Sequence, residues 1–236
     1  MYIGYGYGYG YGADMGYYAV ALIALVLGGL AQAYIKSTYR KWSKVPASIQ
    51  GTGAEVARRM LDAGGAGQVG ITRVSGELTD YFDPKDQMLH LSDSNFQGAS
   101  VASVAVACHE AGHAVQREKG FAMYRLRTAL APVASIASNA WTLVLLAGIF
   151  LNYFGLVRIA IILFAATVLF SLVTLPVEID ASRRAVAYLR DHGAGLDQAG
   201  ARKVLTAAAL TYVASALTSI MQLVYLLGRY GGRRDR

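Results

Sequence analysis

Long stretches without charge alternate along this chain with shorter stretches of mixed character, and that alternation sets most of the expected architecture. Residues 17–35, YYAVALIALVLGGLAQAYI, contain no charged side chain. At about 1.5 Å of rise per helical residue, such a run crosses the roughly 30 Å hydrocarbon layer of a bilayer. Residues 31–33 have the look of a signal-peptidase site, but no Lys or Arg precedes the run and its apolar part is too long, so a retained transmembrane helix is expected. Residues 133–151 and 156–177 repeat the pattern across a short turn, which predicts a transmembrane hairpin. Residues 204–227 are also long enough to cross; Thr206, Thr211, Ser215, Thr218, Ser219 and Gln222 within them predict a fourth span with at least one face against protein.

The remaining segments read as a small folded part. Thr52 and Glu55 form a capping-box pattern that opens a helix, which Gly64 and Gly65 close. Residues 78–91 predict a β-hairpin turning at Asp83-Pro84-Lys85-Asp86. Residues 100–118, rich in small apolar side chains, predict a largely buried helix, and residues 178–192 a further helix closed by Gly193. The expected layout is a disordered Tyr/Gly tail (1–16), a first span (17–35), a mixed α+β region (36–132), the hairpin (133–177), a returning helix (178–203), a fourth span (204–228) and a basic tail (229–236). The fold class is thus a mainly α, polytopic integral membrane protein with a small α+β part, which the HExxH motif at residues 109–113 marks as zincin-like and catalytic.

Composition agrees with this reading and excludes others. In 236 residues, 55% are hydrophobic and 16% charged, with mean hydropathy +0.36, more apolar mass than a soluble core of this size hides. One cysteine excludes a disulfide framework and a Cys-rich metal module. The net charge of +7 could suggest nucleic acid, but 17 of the 22 Lys and Arg fall in the two segments that the four-span topology places on one side. By the positive-inside rule that side is cytoplasmic, so the bilayer and not nucleic acid is the expected partner, in a multi-pass protein of the cell membrane. The tail after residue 228 is the misfit: a crossing fourth helix puts Arg229, Arg233, Arg234 and Arg236 outside.

His109-Glu110-Ala111-Gly112-His113 carries the chemistry. On a helix, residues i and i+4 share a face, so both imidazoles can hold one Zn²⁺ while Glu110, rotated by about 100°, reaches the attacking water. The metal lowers that water's pKa, and the carboxylate takes its proton and passes it to the leaving amine. A catalytic zinc needs a third protein ligand. His90 and His192 are candidates, each with an ordinary strand or helix-end role as the competing reading. Glu55 serves a cap, and Glu118 lies too far along the same helix. Glu178, at the membrane border, is the carboxylate whose position calls for a function. The chain crosses once and returns once between His113 and Glu178, so the topology brings Glu178 back to the same side. Pairing of Glu178 with Arg183 or Arg184 is the competing role.

AVACHEAGHAVQ, PVEIDASRRAVAYL, TGAEVARRML and LTDYFDP together resemble the YugP-type membrane zinc metallopeptidases, from about residue 39 onward. More distantly, HExxH followed by a transmembrane hairpin and a Glu-x-x-Ala element is similar to the HtpX-type and CAAX prenyl membrane proteases. That resemblance implies Glu178 as third zinc ligand and Ala181 at the matching small position. Those families commonly place Asp next, where this chain has Ser182; Asp180 is an alternative orienting group. Peptide or protein substrates are implied, the latter including membrane proteins.

Other parts of the site are less determined. Residues 87–91 are the best-placed strand for pairing with extended substrate, against an ordinary buried strand. Tyr188, His192 and Arg183 are candidates for stabilising the oxyanion, and Cys108 reads as a small buried residue and not a ligand. The competing function is a non-catalytic membrane adaptor or chaperone whose zinc clamps two helices. A metal transporter is a weaker third reading, because the first three spans contain no His or acidic residue to line a path.

Overall fold

Four helices carry the apolar runs, and a small α/β layer is threaded between them. The computed structural model describes residues 15–231. The Tyr/Gly repeat up to residue 14 and the end of the basic tail from residue 232 lie outside the described residues. Helix α1 (Met15–Trp42) leads into α2 (Gly53–Ala63), strands β1 (Gly70–Val74), β2 (Tyr81–Asp83) and β3 (Met88–Ser92), one turn of helix α3 (Asp93–Phe96), and α4 (Val101–Glu118). Helices α5 (Ala122–Phe150), α6 (Phe154–His192) and α7 (Gly195–Tyr230) complete the chain.

Helices α1, α5, α6 and α7 are each long and apolar enough to cross a membrane. Their outer faces leave large side chains bare, with Phe150 90%, Leu143 69% and Ile162 68% exposed. A contiguous apolar surface of that kind is stable against lipid and not against water. Two of the hydroxyls that set the last helix apart are satisfied within it: Thr211 Oγ1 donates to the Ala208 carbonyl at 2.6 Å and Thr218 Oγ1 to that of Ser215 at 3.0 Å. Helix α7 packs along α1 and α6, as its polar content predicts.

Helix α6 differs from the expected pair of elements. The hairpin's second span and the helix of residues 178–192 are one unbroken helix of 39 residues, running through Pro176. At about 1.5 Å per residue it is roughly 58 Å long, twice the hydrocarbon thickness. Its C-terminal turns therefore project from the span as a rigid continuation.

In the small layer, the capping box of α2 is present, with Glu55 N donating to Thr52 Oγ1 and Thr52 N to Glu55 Oε2. The hairpin forms as β2 against β3, Phe82 opposite Leu89, with Asp83 and Asp86 accepting from the backbone of Lys85 and Met88 in the turn. Strand β1 has no counterpart in the expected elements. Its sequence GITRV is short and interrupted by Thr72 and Arg73, and it becomes a strand by pairing in parallel with β3. Strand order is β1-β3-β2. Residues 87–91 consequently lie in the central strand, hydrogen-bonded on both sides, and cannot take a substrate; the edge nearer α4 is β2. Leu61, Leu89, Leu91, Val104, Cys108 and Leu189 form the core between α2, the sheet, α4 and the end of α6.

Candidate metal centre

Helix α4 is the buried centre of this layer, with 14 of its 18 residues buried. Small side chains at Ala105, Ala107, Ala111 and Ala114 let neighbouring helices approach closely. At Gly112 the approach is to backbone, where a Cβ atom would stand 2.9 Å from the carbonyl oxygen of Ala181 on α6. Only glycine permits this backbone contact, which sets the distance between the two histidines and the carboxylate three residues before Ala181.

Glu178 Oε2 lies 3.2 Å from His109 Nε2 and 3.6 Å from His113 Nε2. One ligand atom from each of the three residues falls within 4.8 Å of the other two. The imidazoles meet edge to face, 4.8 Å apart. Glu178 is also approached by Arg127 of α5, whose guanidinium is 3.8 Å from Oε1. The competing pairing with Arg183 or Arg184 does not form; Arg184 is bound to Asp180 at 2.6 Å.

Each imidazole is oriented from behind. Ser182 Oγ lies 3.2 Å from His109 Nδ1, occupying the place of the expected aspartate. His113 Nδ1 lies 3.0 Å from Gln116 Oε1, and Gln116 Nε2 donates to the Val177 carbonyl at 2.7 Å and to Asp180 Oδ2 at 2.8 Å. Because the Gln116 amide nitrogen is committed to two acceptors, its oxygen must accept, so His113 Nδ1 carries the proton. In the neutral imidazole, the form that binds a metal, the lone pair on His113 Nε2 then faces the Glu178 carboxylate 3.6 Å away. A lone pair and a carboxylate directed at one point repel unless a cation stands between them, and two imidazole nitrogens with one carboxylate oxygen suit zinc. Gln116→Leu removes the group that fixes this tautomer while preserving shape. It is expected to weaken zinc binding about 10- to 100-fold, read by competition with a chromogenic chelator.

Glu110 is buried and lines, with His109 and Glu178, a cleft of about 240 Å³. Burial pushes its carboxyl up to about 8; the nearby His109 opposes the rise and Glu178 and Asp80 add to it. Asp80, on the cleft rim just before β2, is fixed by hydrogen bonds from Ser92 and Asn95. Tyr212 of α7 lines the same cleft, beside Glu178 and Arg127.

The other candidates lie elsewhere. His90 bonds Asp86 at 2.8 Å and stacks on Tyr81; His192 bonds the Tyr188 carbonyl at 2.9 Å at the exposed end of α6. Tyr188 faces Arg59 and Cys108, and Arg183 lines a different cavity. None of the three residues expected near the oxyanion lines the cleft; Tyr212 does, and Arg127 stands behind it against Glu178. Cys108 is fully buried in the core, and burial pushes its thiol away from the thiolate form a metal would need. Gln116 was legible in principle, since i+3 from His113 places it on the same helical face. Nothing local marks Tyr212, a tyrosine inside an apolar run 34 residues after Glu178.

Comparison with known proteins agrees with this geometry. The chain is 41% identical over 218 residues to "Putative membrane protease YugP" of Bacillus subtilis (strain 168), an alignment covering 92% of this chain and 97% of that protein. No solved structure matches. The profile of a family described as "Putative neutral zinc metallopeptidase" matches residues 17–230, and the chain belongs to that family.

Proposed function

We propose that this protein is a membrane-embedded zinc endopeptidase, with His109, His113 and Glu178 holding the metal and Glu110 acting as general base at the cytoplasmic membrane border. The convergence of two imidazole nitrogens and a carboxylate oxygen on one point, open to a cleft that also contains Glu110, carries this reading. Zinc bound there supplies a Lewis acid that lowers the pKa of water and polarises the scissile carbonyl. Glu110 accepts the proton of the attacking water and delivers it to the leaving amine. Tyr212 on the cleft wall is the donor available to the developing oxyanion, with Arg127 adding positive charge beside Glu178. Ser182 and Gln116 keep the imidazoles turned toward the metal.

Extended substrate is expected along β2, whose outer edge has no strand partner among the described residues and whose approach, Leu78 to Asp80, lines the cleft. Gln32, Ile35 and Tyr212 carry the cleft from the small layer into the helical bundle. The natural substrate is accordingly a peptide segment at the membrane surface. The positive charges favour placing this side in the cytoplasm.

A structural zinc clamp would close its coordination with protein groups, and the cleft beside Glu110 speaks against it. Protein reconstituted in liposomes is expected to cleave fluorogenic peptides, to lose that activity on dialysis against a chelator, and to regain it with about one equivalent of zinc. Absence of hydrolysis in zinc-loaded protein across a diverse peptide library would overturn the enzymatic reading.

A further inference from the structure

A second cavity, of about 530 Å³, lies between α6 and α7. Its wall presents Arg183, Arg190 and Arg202, and no Asp or Glu lines it. Asp191 pairs with Arg190 at 2.7 Å, whereas Arg183 and Arg202 have no carboxylate partner among the described residues. The remainder of the lining is largely apolar, with Ile179 and Leu205 at the end nearer the membrane.

Depth identifies the environment of these arginines. The apolar runs of α6 and α7 end at residues 177 and 204, so Arg183 stands about 9 Å beyond the hydrocarbon border and Arg202 about 3 Å, at 1.5 Å per residue. The headgroup layer is roughly 5–8 Å thick on each side, and long arginine side chains reach along it. Ile179, Leu172 and Leu210 are exposed just below, so the cavity continues into a lipid-facing surface.

We infer that this cavity binds an anionic phospholipid, its phosphate held between Arg183 and Arg202 and its glycerol and upper acyl chain against Ile179 and Leu205. Charge selects an anion, and the basic pocket between spanning helices at the border suits a lipid headgroup. A peptide fits poorly: both walls are helices whose backbone groups are spent internally, leaving no edge for an extended chain to pair with. The inference depends on the membrane-spanning architecture and is independent of peptidase activity. Ser182 is common to both cavities, so a bound lipid sits one side chain from His109.

Native mass spectrometry of the full chain, released from micelles containing phosphatidylglycerol and phosphatidylcholine of matched acyl length, tests it. Phosphatidylglycerol is expected to be retained preferentially. Each arginine near the headgroups contributes about 5-fold, so Arg183→Gln with Arg202→Gln should reduce retention about 30-fold. The exposed pair Lys85→Gln with Lys119→Gln, far from the cavity, should leave it unchanged. Unaltered zinc content in the arginine variant shows that the fold is intact. Equal retention of the two lipids, or undiminished phosphatidylglycerol in the arginine variant, would overturn the inference. Displacement of the lipid by millimolar glycerol 3-phosphate would also overturn it, showing a site for free phosphate.

Discussion

Glu110→Gln protein is expected to hold about one zinc per chain and to hydrolyse peptides about 10²- to 10⁴-fold more slowly than the parent. The two halves of this result have separate causes. Zinc should be retained because the proposed ligands are His109, His113 and Glu178, which converge without Glu110. Hydrolysis is lost because glutamine fills the same volume but cannot accept a proton from water. At 1.36 kcal/mol per decade, the rate effect corresponds to about 3–5 kcal/mol of lost transition-state stabilisation, the scale of a positioned acid–base group. Folding should not suffer. Glu110 is buried with its carboxyl pushed up to about 8, and a neutral amide of the same size replaces it without adding charge to the interior. Elemental analysis for zinc and a fluorogenic peptide assay measure the two halves on one preparation. Parent-like hydrolysis by a zinc-loaded variant would remove Glu110 from the mechanism, and a structural clamp predicts no role for it.

The parts of this site that follow a local period are visible in the sequence. His109 and His113 are one helical turn apart, and the capping box of α2 is a three-residue pattern; both stand in the structure where the spacing puts them. Glu178 could be linked to them through topology, since one crossing and one return bring the chain back. What topology cannot give is distance. Residues from four separate helices, Gln32, Glu110, Glu178 and Tyr212, share the cleft wall, and only packing decides which residue of each helix faces inward. Tyr188 and Tyr212 illustrate this: both are tyrosines on helices near the site, but the first turns toward Arg59 and Cys108 and the second toward Glu178. Strand β1 is hidden for a related reason. Its five residues show no two-residue alternation, and its pairing with β3 is parallel and non-local, so neither pattern nor turn announces it.

The continuity of α6 changes the meaning of the hairpin. Separate elements on either side of Val177 would let the returning helix settle independently of the span. A single helix of 39 residues instead fixes Glu178, Ala181 and Ser182 to the register of α5 against α6. The first supplies a carboxylate to the cluster, the second meets Gly112, and the third lies behind His109. The apolar hairpin is thus part of the frame that holds the three candidate ligands together.

That frame should fail at Gly112, where α4 and α6 meet backbone to backbone. Glycine in a helix interior is about 1 kcal/mol less favourable than alanine, so propensity alone predicts that Gly112→Ala stabilises the protein. The contact predicts the opposite. A Cβ there would lie 2.9 Å from the Ala181 carbonyl oxygen, 3.2 Å from its Cα and 3.3 Å from its carbonyl carbon, all backbone atoms that no rotamer change can move. Overpacking costs about 1–3 kcal/mol, which exceeds the propensity gain, and relieving it means moving α4 away from α6. That displacement separates His109 and His113 from Glu178, so zinc affinity should fall about 10- to 100-fold for alanine and further for valine, whose two added methyls widen the gap. Chelator competition on protein of unchanged helical content measures this. Ala181→Gly supplies the control: it removes a side chain but none of the backbone atoms met by the new Cβ, so it should not rescue Gly112→Ala. Rescue, or parent-like affinity in the single variant, would mean that the helices yield at this point and that the spacing of the metal centre is set elsewhere.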